Sequence, residues 1–135
     1  MDQALRSLVR RRADDLCEYC RLPQAASRFA RFHVEHVIAR QHGGTTKSNN
    51  LALACSFCNF HKGPNIAGLD PENGQLVPLF HPRRDNWAEH FVWKGTMVVG
   101  RAAVSRATAQ LLATNDWQRV EVRDNLQSLG EPFAG

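Results

Sequence analysis

The four cysteines of this chain fall into two pairs, and their spacing limits the possible folds more than any other feature. Cys17 and Cys20 lie in "CEYC", and Cys55 and Cys58 lie in "CSFC", with no cysteine left over. Two C-x2-C pairs favour a structural Zn²⁺ site with four thiolate ligands. The alternatives are two disulfides or a redox C-x-x-C pair, although the redox motif normally opens the helix of a βαβ unit, a pattern absent around either pair. We therefore predict a zinc site.

The segment between the two pairs is long. Cys20 and Cys55 are separated by 34 residues, whereas about 15–20 residues separate the pairs of the commonest zinc ribbons. Doubling the length of a loop costs about 0.6 kcal/mol of closure entropy, and a structural zinc contributes on the order of 10 kcal/mol. The long insert is therefore tolerated, and the metal holds both of its ends.

Size and composition predict one soluble domain. The 135 residues, 43% of them hydrophobic and 22% charged, are ordinary for a globular chain. No apolar run approaches the roughly 18 residues of a membrane span, and the N-terminus lacks the apolar core of a signal peptide. We expect a cytoplasmic protein with no membrane partner, and disulfides are not kept in that compartment. The net charge of +4 is compatible with a polyanionic partner but does not identify one.

The insert and the second cysteine pair predict the order strand, loop, strand, helix. Residues 32–38 are rich in β-favouring side chains, "HGGTTKSNN" has the composition of a loop, "LALAC" predicts a second strand, and "SFCNFHKG" predicts a short helix. A regular strand directs Glu35 and His36 to opposite faces, so they serve one centre only if the backbone twists there. Asn59 and Lys62 are three residues apart and share a helix face.

Three motifs in this region, "HVEHVIARQHGG", "NLALAC" and "CNFHKG", resemble those of the HNH endonucleases. The resemblance covers residues 17–63 closely and continues through the segment that ends in "HFVW". It implies an α+β fold built on a ββα-metal nuclease core. It also implies hydrolysis of DNA phosphodiester bonds that leaves a 5′-phosphate.

The resemblance implies a role for each polar residue of these motifs. Glu35 corresponds to the first ligand of the catalytic metal, and His36 corresponds to the general base. Asn50 corresponds to the asparagine that holds the loop around the base. Asn59 takes the place of the last metal ligand, and Lys62 takes the place of a cation near the phosphate.

Two of these residues depart from the pattern of many relatives, which have aspartate in place of Glu35 and histidine in place of Asn59. Both residues keep an oxygen donor, which favours Mg²⁺ or Mn²⁺ over zinc or nickel as the catalytic ion. With an ordinary pKa of about 6.5, His36 is mostly neutral at pH 7 and suits a general base. Taken alone, each residue has an ordinary structural explanation, and the position between the cysteine pairs is what favours the catalytic one.

The C-terminal half adds candidate DNA contacts and further elements. Arg83 and Arg84 in "HPRR" are candidates for contact with the DNA backbone, with a solvated surface as the alternative. Trp87 and Phe91, four residues apart, predict the core face of a helix. "KGTMVVG" predicts a strand, and residues 101–129 predict one or two helices, broken near "TND", whose apolar side chains serve the core or a second subunit.

These observations predict a single domain, with a zinc-stabilised core at about residues 13–66 and a mixed helix and strand extension at about residues 67–135. The predicted function is a divalent-metal-dependent endonuclease that acts as a monomer, or as a homodimer through its C-terminal helices. One alternative is a non-catalytic zinc-ribbon module that binds nucleic acid. Another is an interaction domain that uses the C-terminal helices.

Overall fold

The computed structural model describes residues 1–27 and 29–130, in which short helices alternate with short antiparallel strands. Residues 131–135, the end of the predicted extension, lie outside the described residues. The helices are α1 (Gln3–Arg12), α2 (Ser56–Lys62), α3 (Trp87–His90), α4 (Ala103–Leu111) and α5 (Trp117–Ser128). The strands are β1 (His33–His36), β2 (Leu51–Ala54), β3 (Ala67–Leu69), β4 (Leu76–Pro78), β5 (Phe91–Lys94) and β6 (Met97–Gly100). None of the helices in the described ranges has the length and apolar character that crossing a bilayer demands.

The strands form three separate antiparallel pairs, β1 with β2, β3 with β4, and β5 with β6. In the first pair, Glu35 lies opposite Ala52 and His36 lies opposite Leu51. Helix α2 follows β2 directly and packs against both strands of this pair. The predicted α+β class and the order strand, loop, strand, helix are therefore confirmed.

Helix α1 covers the outer side of the first strand pair. The Asp2 carboxylate caps its N-terminus by accepting a hydrogen bond from the Leu5 amide at 2.8 Å. Three arginines, residues 10–12, occupy its last turn, where positive charge interacts favourably with the helix dipole. Val9 is fully buried, so this helix faces the core with its apolar side. Arg10 and Arg12 reach back to donate hydrogen bonds to backbone carbonyls around the first strand pair.

The core is centred on β2, whose four residues are all buried. Strand residues with both faces covered read as a continuous apolar run, as "LALA" does. The larger buried side chains around it come from every part of the described chain: Val9, Tyr19, Leu22, Phe32, Val37, Phe80, Trp87, Phe91, Val98 and Leu112. One apolar cluster therefore joins the first 66 residues to the extension.

Helix α3 is shorter than the sequence predicts. It ends at His90, and Phe91 begins β5, so the prediction of a helix through both Trp87 and Phe91 is wrong. The aromatic and β-branched residues of "FVW" favour a strand, and Gly95, with φ of +60°, forms the tight turn into β6. Trp87 and Phe91 nevertheless pack as predicted, since both are buried and their rings stack at 5.1 Å.

The predicted break near "TND" is confirmed, because α4 ends before it and Asp116 caps α5 after it. The buried face of α5 was not predicted. Its buried side chains are Arg119 and Arg123, whereas Val120 and Val122 are only half-buried. Charged side chains are rarely buried unless paired, so each arginine needs a partner.

Arg123 finds its partners in the backbone. Its guanidinium donates to the carbonyl oxygens of Thr96 and Thr114, and to Asn115 Oδ1 at 3.2 Å. It also lies over the ring of Trp93, 5.9 Å from the centroid. The β5–β6 turn, the α4–α5 loop and α5 are thereby joined at one side chain.

Candidate active site and metal centre

The four cysteine side chains converge on one buried point. All are free thiols, and their sulfur atoms lie within 4.8 Å of one another. The Sγ atoms of Cys20 and Cys55 are 3.7 Å apart, and thiolates bound tetrahedrally to one Zn²⁺ at about 2.3 Å would lie about 3.8 Å apart. The cysteines are therefore positioned for a metal site that fits zinc. Among the described residues, no other group of three or more His, Cys, Asp or Glu side chains is placed to hold a metal.

Tight backbone turns bring each pair of sulfurs together. Cys55 is the N-cap of α2, and its Sγ accepts a hydrogen bond from the Cys58 amide at 3.4 Å. In the first pair, the Cys17 amide donates to the Leu22 carbonyl at 2.8 Å, and Arg21 adopts a left-handed conformation with φ of +66°. We call residues 17–22 the zinc turn.

Ionisation of all four thiols would require a nearby cation. Burial raises the pKa of the Cys17 and Cys58 thiols well above the ordinary value, whereas hydrogen bonds with the other cysteines lower the pKa of Cys20. Several thiolates in one buried volume repel one another, so they do not all ionise without a compensating positive charge. A metal ion held by Cys17, Cys20, Cys55 and Cys58 would supply that charge and keep every thiol deprotonated.

Arg119 supplies a second cation to the sulfur cluster. Its Nη2 lies 3.0 Å from Cys58 Sγ and 3.8 Å from Cys55 Sγ, and the residue is only 4% exposed. Burial acts to lower the pKa of Arg119, but the sulfurs of Cys58, Cys20 and Cys55 raise it above the ordinary value. Four thiolates around one Zn²⁺ carry a net charge of −2, and the guanidinium offsets half of it. Sequence patterns did not indicate Arg119, since 61 positions separate it from Cys58.

Glu35, the predicted metal ligand, points into the protein from β1. The residue is 9% exposed, and its Oε1 accepts a hydrogen bond from the Tyr19 hydroxyl. Its Oε2 lies 3.3 Å from Lys62 Nζ. Burial raises the pKa of Glu35, and the Lys62 charge and the Tyr19 hydrogen bond act in the opposite direction. Because Tyr19 belongs to the zinc turn, its hydrogen bond links the turn that carries two of the cysteines directly to the candidate carboxylate ligand.

Lys62, predicted to lie near the phosphate, is 2% exposed. Besides pairing with Glu35, its ammonium donates to the His36 carbonyl at 3.3 Å. A direct phosphate contact by Lys62 would therefore require its ammonium to leave Glu35. Asn59 lies one turn earlier on the same face of α2, and its side-chain amide makes no hydrogen bond within the part of the chain that the structure describes.

His36 has different partners from its neighbour Glu35. It is half-buried, and its Nε2 lies 2.9 Å from the Thr46 hydroxyl in the following loop. Burial, together with the charges of Arg40 and Lys62, lowers the pKa of His36 below its ordinary value. The imidazole is therefore neutral at pH 7, in the form that accepts a proton.

Asn50 fastens the loop that carries Thr46. Its Oδ1 accepts from the Ile38 amide at 2.9 Å, and its Nδ2 donates to the carbonyls of Ile38 at 3.0 Å and Thr45 at 2.8 Å. A Cβ on Gly44 would lie 1.7 Å from the Ile38 oxygen, so the loop can close this tightly only with glycine there. The three hydrogen bonds fix the loop next to the imidazole.

The two arginines predicted to contact DNA have unlike surroundings. Arg83 is half-buried and pairs with Glu18, whose other oxygen accepts from the Leu53 amide at 2.8 Å. Burial and the charge of Arg12 lower the pKa of Arg83 to about 10. Arg84 is exposed, and its guanidinium makes no hydrogen bond or ion pair with the described residues. Only Arg84 is free to contact a ligand without breaking an internal pair.

Comparison with known families gives the segment an identity. Residues 17–65, from the first zinc-turn cysteine to just past α2, match the family model described as HNH endonuclease. We refer to this matched segment as the HNH domain. The matched range contains all four cysteines, and it contains His36, Asn50 and Asn59. No curated protein and no solved structure matches the chain.

The HNH domain also contains two structural contacts that sequence patterns did not indicate. Glu18 and Tyr19 stand between the cysteines of the zinc turn, where Glu18 binds the β2 backbone and Tyr19 binds Glu35. The extension holds the same turn, since the Trp87 indole donates to the Tyr19 carbonyl at 2.8 Å. The signal was present in "CEYC", because two residues fixed by a metal on both sides are well placed to orient others.

Proposed function

We propose that this protein is a metal-dependent endonuclease that hydrolyses DNA phosphodiester bonds, with His36 as the general base. The observation that carries the proposal is a neutral imidazole oriented by Thr46, on the strand that also bears a buried carboxylate, inside a segment that matches HNH endonucleases. Phosphodiester hydrolysis needs a base for the attacking water and positive charge near the phosphate.

In this proposal, Nδ1 is the basic atom of His36 and Nε2 is the atom that contacts Thr46. When Nε2–H donates to Thr46 Oγ1, the lone pair for proton transfer lies on Nδ1. Nδ1 then takes a proton from the attacking water, and the resulting hydroxide displaces the 3′-oxygen of the cleaved strand. Asn50 supports this geometry, since it holds both ends of the loop that carries the hydroxyl.

Glu35 and Asn59 are the residues that would hold a divalent ion. A carboxylate and an amide oxygen suit Mg²⁺ or Mn²⁺, which prefer oxygen ligands. The Glu35 carboxylate already faces a cation, the Lys62 ammonium, and the Asn59 amide is on the same helix as that lysine. When bound, the ion supplies Lewis-acid stabilisation of charge on the phosphate and the leaving oxygen.

Lys62 and Arg84 provide the positive charge of the site in two different ways. Buried Lys62 binds the Glu35 carboxylate and the His36 carbonyl at 3.3 Å each, so we assign it the orientation of these two residues. Exposed Arg84 contacts the DNA backbone. Arg83, in contrast, joins the extension to the zinc turn through Glu18.

The experiment that tests this function is cleavage of supercoiled plasmid by the zinc-loaded protein with Mg²⁺ or Mn²⁺. We expect His36→Ala to lower the cleavage rate by about 10²–10⁴-fold. His33→Ala is the matched control, because His33 is an exposed histidine on the same strand, and it should cleave normally.

Three results would contradict the proposal. Equal cleavage by His36→Ala would mean that the base is misassigned. Cleavage that resists removal of Mg²⁺ and Mn²⁺, while circular dichroism shows an intact fold, would exclude the divalent ion. DNA binding with no cleavage under any of these conditions would instead favour a non-catalytic nucleic-acid-binding module.

A further inference from the structure

A cavity of about 390 Å³ lies where the HNH domain meets the extension. Ile38 and Ile66 contribute to its wall on the HNH side, and Leu79, Phe80 and Val104 contribute on the side of the extension. Ligand pockets have volumes of about 300–1,000 Å³ and occur preferentially at such junctions. The cavity therefore has a size and a location that suit a small ligand or part of a larger one.

Lys62 connects this cavity to the candidate active site. Its side chain lines the cavity, and its ammonium lies 3.3 Å from both Glu35 Oε2 and the His36 carbonyl oxygen. The inner end of the cavity is thus one side chain away from the predicted metal ligand. Because the cavity and the candidate active site share Lys62, we expect one DNA strand to occupy both of them.

Three polar side chains that line the cavity make no hydrogen bond with the described residues, whereas Lys62, His81 and Asp85, which also line it, have internal partners. His90 Nδ1 is buried and makes no hydrogen bond within the described residues, and a buried polar atom without a partner is destabilising. Arg84 lines the same cavity with a free, exposed guanidinium. Asn65, also exposed, adds an amide that can donate and accept.

We propose that this cavity binds an unpaired nucleobase of the substrate strand, next to the bond that is cut, with Arg84 contacting the phosphate of that nucleotide. The proposal rests on the nuclease function proposed above and names the form of DNA that the site prefers. A nucleobase matches the cavity because it has flat apolar faces for the walls and a polar edge for His90 and Asn65. A phosphate alone would leave the apolar walls unused, and an apolar ligand would leave Arg84 and His90 unpaired.

The form of the substrate follows from this geometry. A base in a duplex must leave the stack to enter a cavity, at a cost of a few kcal/mol, whereas a base in single-stranded DNA is already available. We therefore expect cleavage of single-stranded or gapped DNA to have a lower KM than cleavage of intact duplex. The preference should appear in KM more than in kcat, because the cavity binds the substrate away from the reacting atoms.

Binding can be tested without cleavage. Thymidine 5′-monophosphate is titrated into the zinc-loaded full-length protein, with no other divalent ion present, and the dissociation constant is read from NMR shifts. Ile66→Trp fills the mouth of the cavity from a side chain that is 46% exposed, and Leu69→Trp places the same indole on a neighbouring, 55% exposed position that does not line it. We expect Ile66→Trp to weaken binding at least about tenfold and Leu69→Trp to leave it unchanged.

The choice of probes separates a nucleobase site from a phosphate site. We expect ribose 5-phosphate and inorganic phosphate to bind at least about tenfold more weakly than thymidine 5′-monophosphate. Equal binding of all three would overturn the proposal, and so would unchanged nucleotide binding in Ile66→Trp. If the protein cleaves DNA but gives either of these results, the cavity proposal alone is refuted. If Ile66→Trp removes nucleotide binding but the protein never cleaves DNA, the nuclease function alone is refuted.

Discussion

Replacement of Arg119 by methionine isolates the contribution of the second cation at the zinc centre. The methionine keeps an unbranched stem of similar size, and it removes the guanidinium that lies 3.0 Å from Cys58 Sγ. The four thiolates and the zinc ion then retain a net charge of −2 in a buried site. At the sulfur cluster the loss is therefore electrostatic, and the hydrogen bond to the Leu112 carbonyl and the contact with the Phe57 ring are lost with it.

The size of this effect follows from the geometry. Removing one partner of a buried charge pair costs about 3–5 kcal/mol. The contact of Arg119 with Cys55 Sγ is 3.8 Å long and its remaining hydrogen bond goes to the Leu112 carbonyl, so it makes one strong hydrogen bond to sulfur and the lower end of that range applies to the zinc centre. At about 1.4 kcal/mol for each factor of ten, a loss of about 3 kcal/mol weakens zinc binding about 100-fold.

The assay is competition for zinc against a chromogenic chelator at neutral pH, with circular dichroism to verify that the variant is folded. Arg123→Met is the matched control, because Arg123 is equally buried one turn later on α5 but donates to backbone carbonyls and an amide instead of to sulfur. That variant should lose stability and retain zinc affinity. Equal zinc affinities in the two variants would refute the assignment of Arg119 to the metal centre.

Four further predictions address the site and the fold. Thr46→Val should lower kcat for cleavage about tenfold without changing KM, because the proposed base, His36, loses its orienting hydroxyl; a Thr46→Ser variant that is equally impaired would argue against that role. Tyr19→Phe should weaken Mn²⁺ binding about tenfold in an EPR titration while zinc content stays the same, and unchanged Mn²⁺ affinity would contradict the contact with the carboxylate ligand. Cys17→Ser should lose zinc and lower the melting temperature, and an unaltered melting transition would argue against the zinc site. Burial lowers the pKa of His81, whose Nδ1 accepts a hydrogen bond from the Arg83 amide at 3.1 Å, so the free energy of unfolding should fall as pH drops below about 6.5. In urea titrations at several pH values, His81→Asn should make the free energy of unfolding depend less on pH. An unchanged pH dependence would exclude the histidine as its source.

Sequence spacing predicted the features that depend on near neighbours along the chain. The two cysteine pairs, the order strand, loop, strand, helix and the break before Asp116 follow from local patterns. The end of α3 could not be predicted from local patterns. The spacing of four residues between Trp87 and Phe91 is compatible with one helix face and also with a stacked pair at a helix-to-strand junction. So short a segment does not distinguish the two-residue period of a strand from the period of about 3.6 residues of a helix.

The burial of charged side chains was the main feature that the sequence did not predict. Lys62 and Asn59 share a helix face, as predicted, but the depth of that face depends on where β1 packs, and the pattern in α2 does not contain this information. Two arginines such as Arg119 and Arg123 normally indicate a solvent-exposed helix face. Here they are buried because the fold brings sulfur and carbonyl partners to them, and the sequence around α5 does not reveal these partners. Charge predicts exposure only when no such partner exists.

The bonds that cross from the later half of the chain to the zinc centre bear on protein engineering. Trp87 holds the Tyr19 carbonyl, Arg83 holds Glu18, and Arg119 holds the thiolates. We expect a fragment cut at the end of the family match to lose all three anchors and to collapse or aggregate, even though it contains every catalytic candidate. An HNH module taken from this protein for fusion to another protein should therefore extend through the last helix.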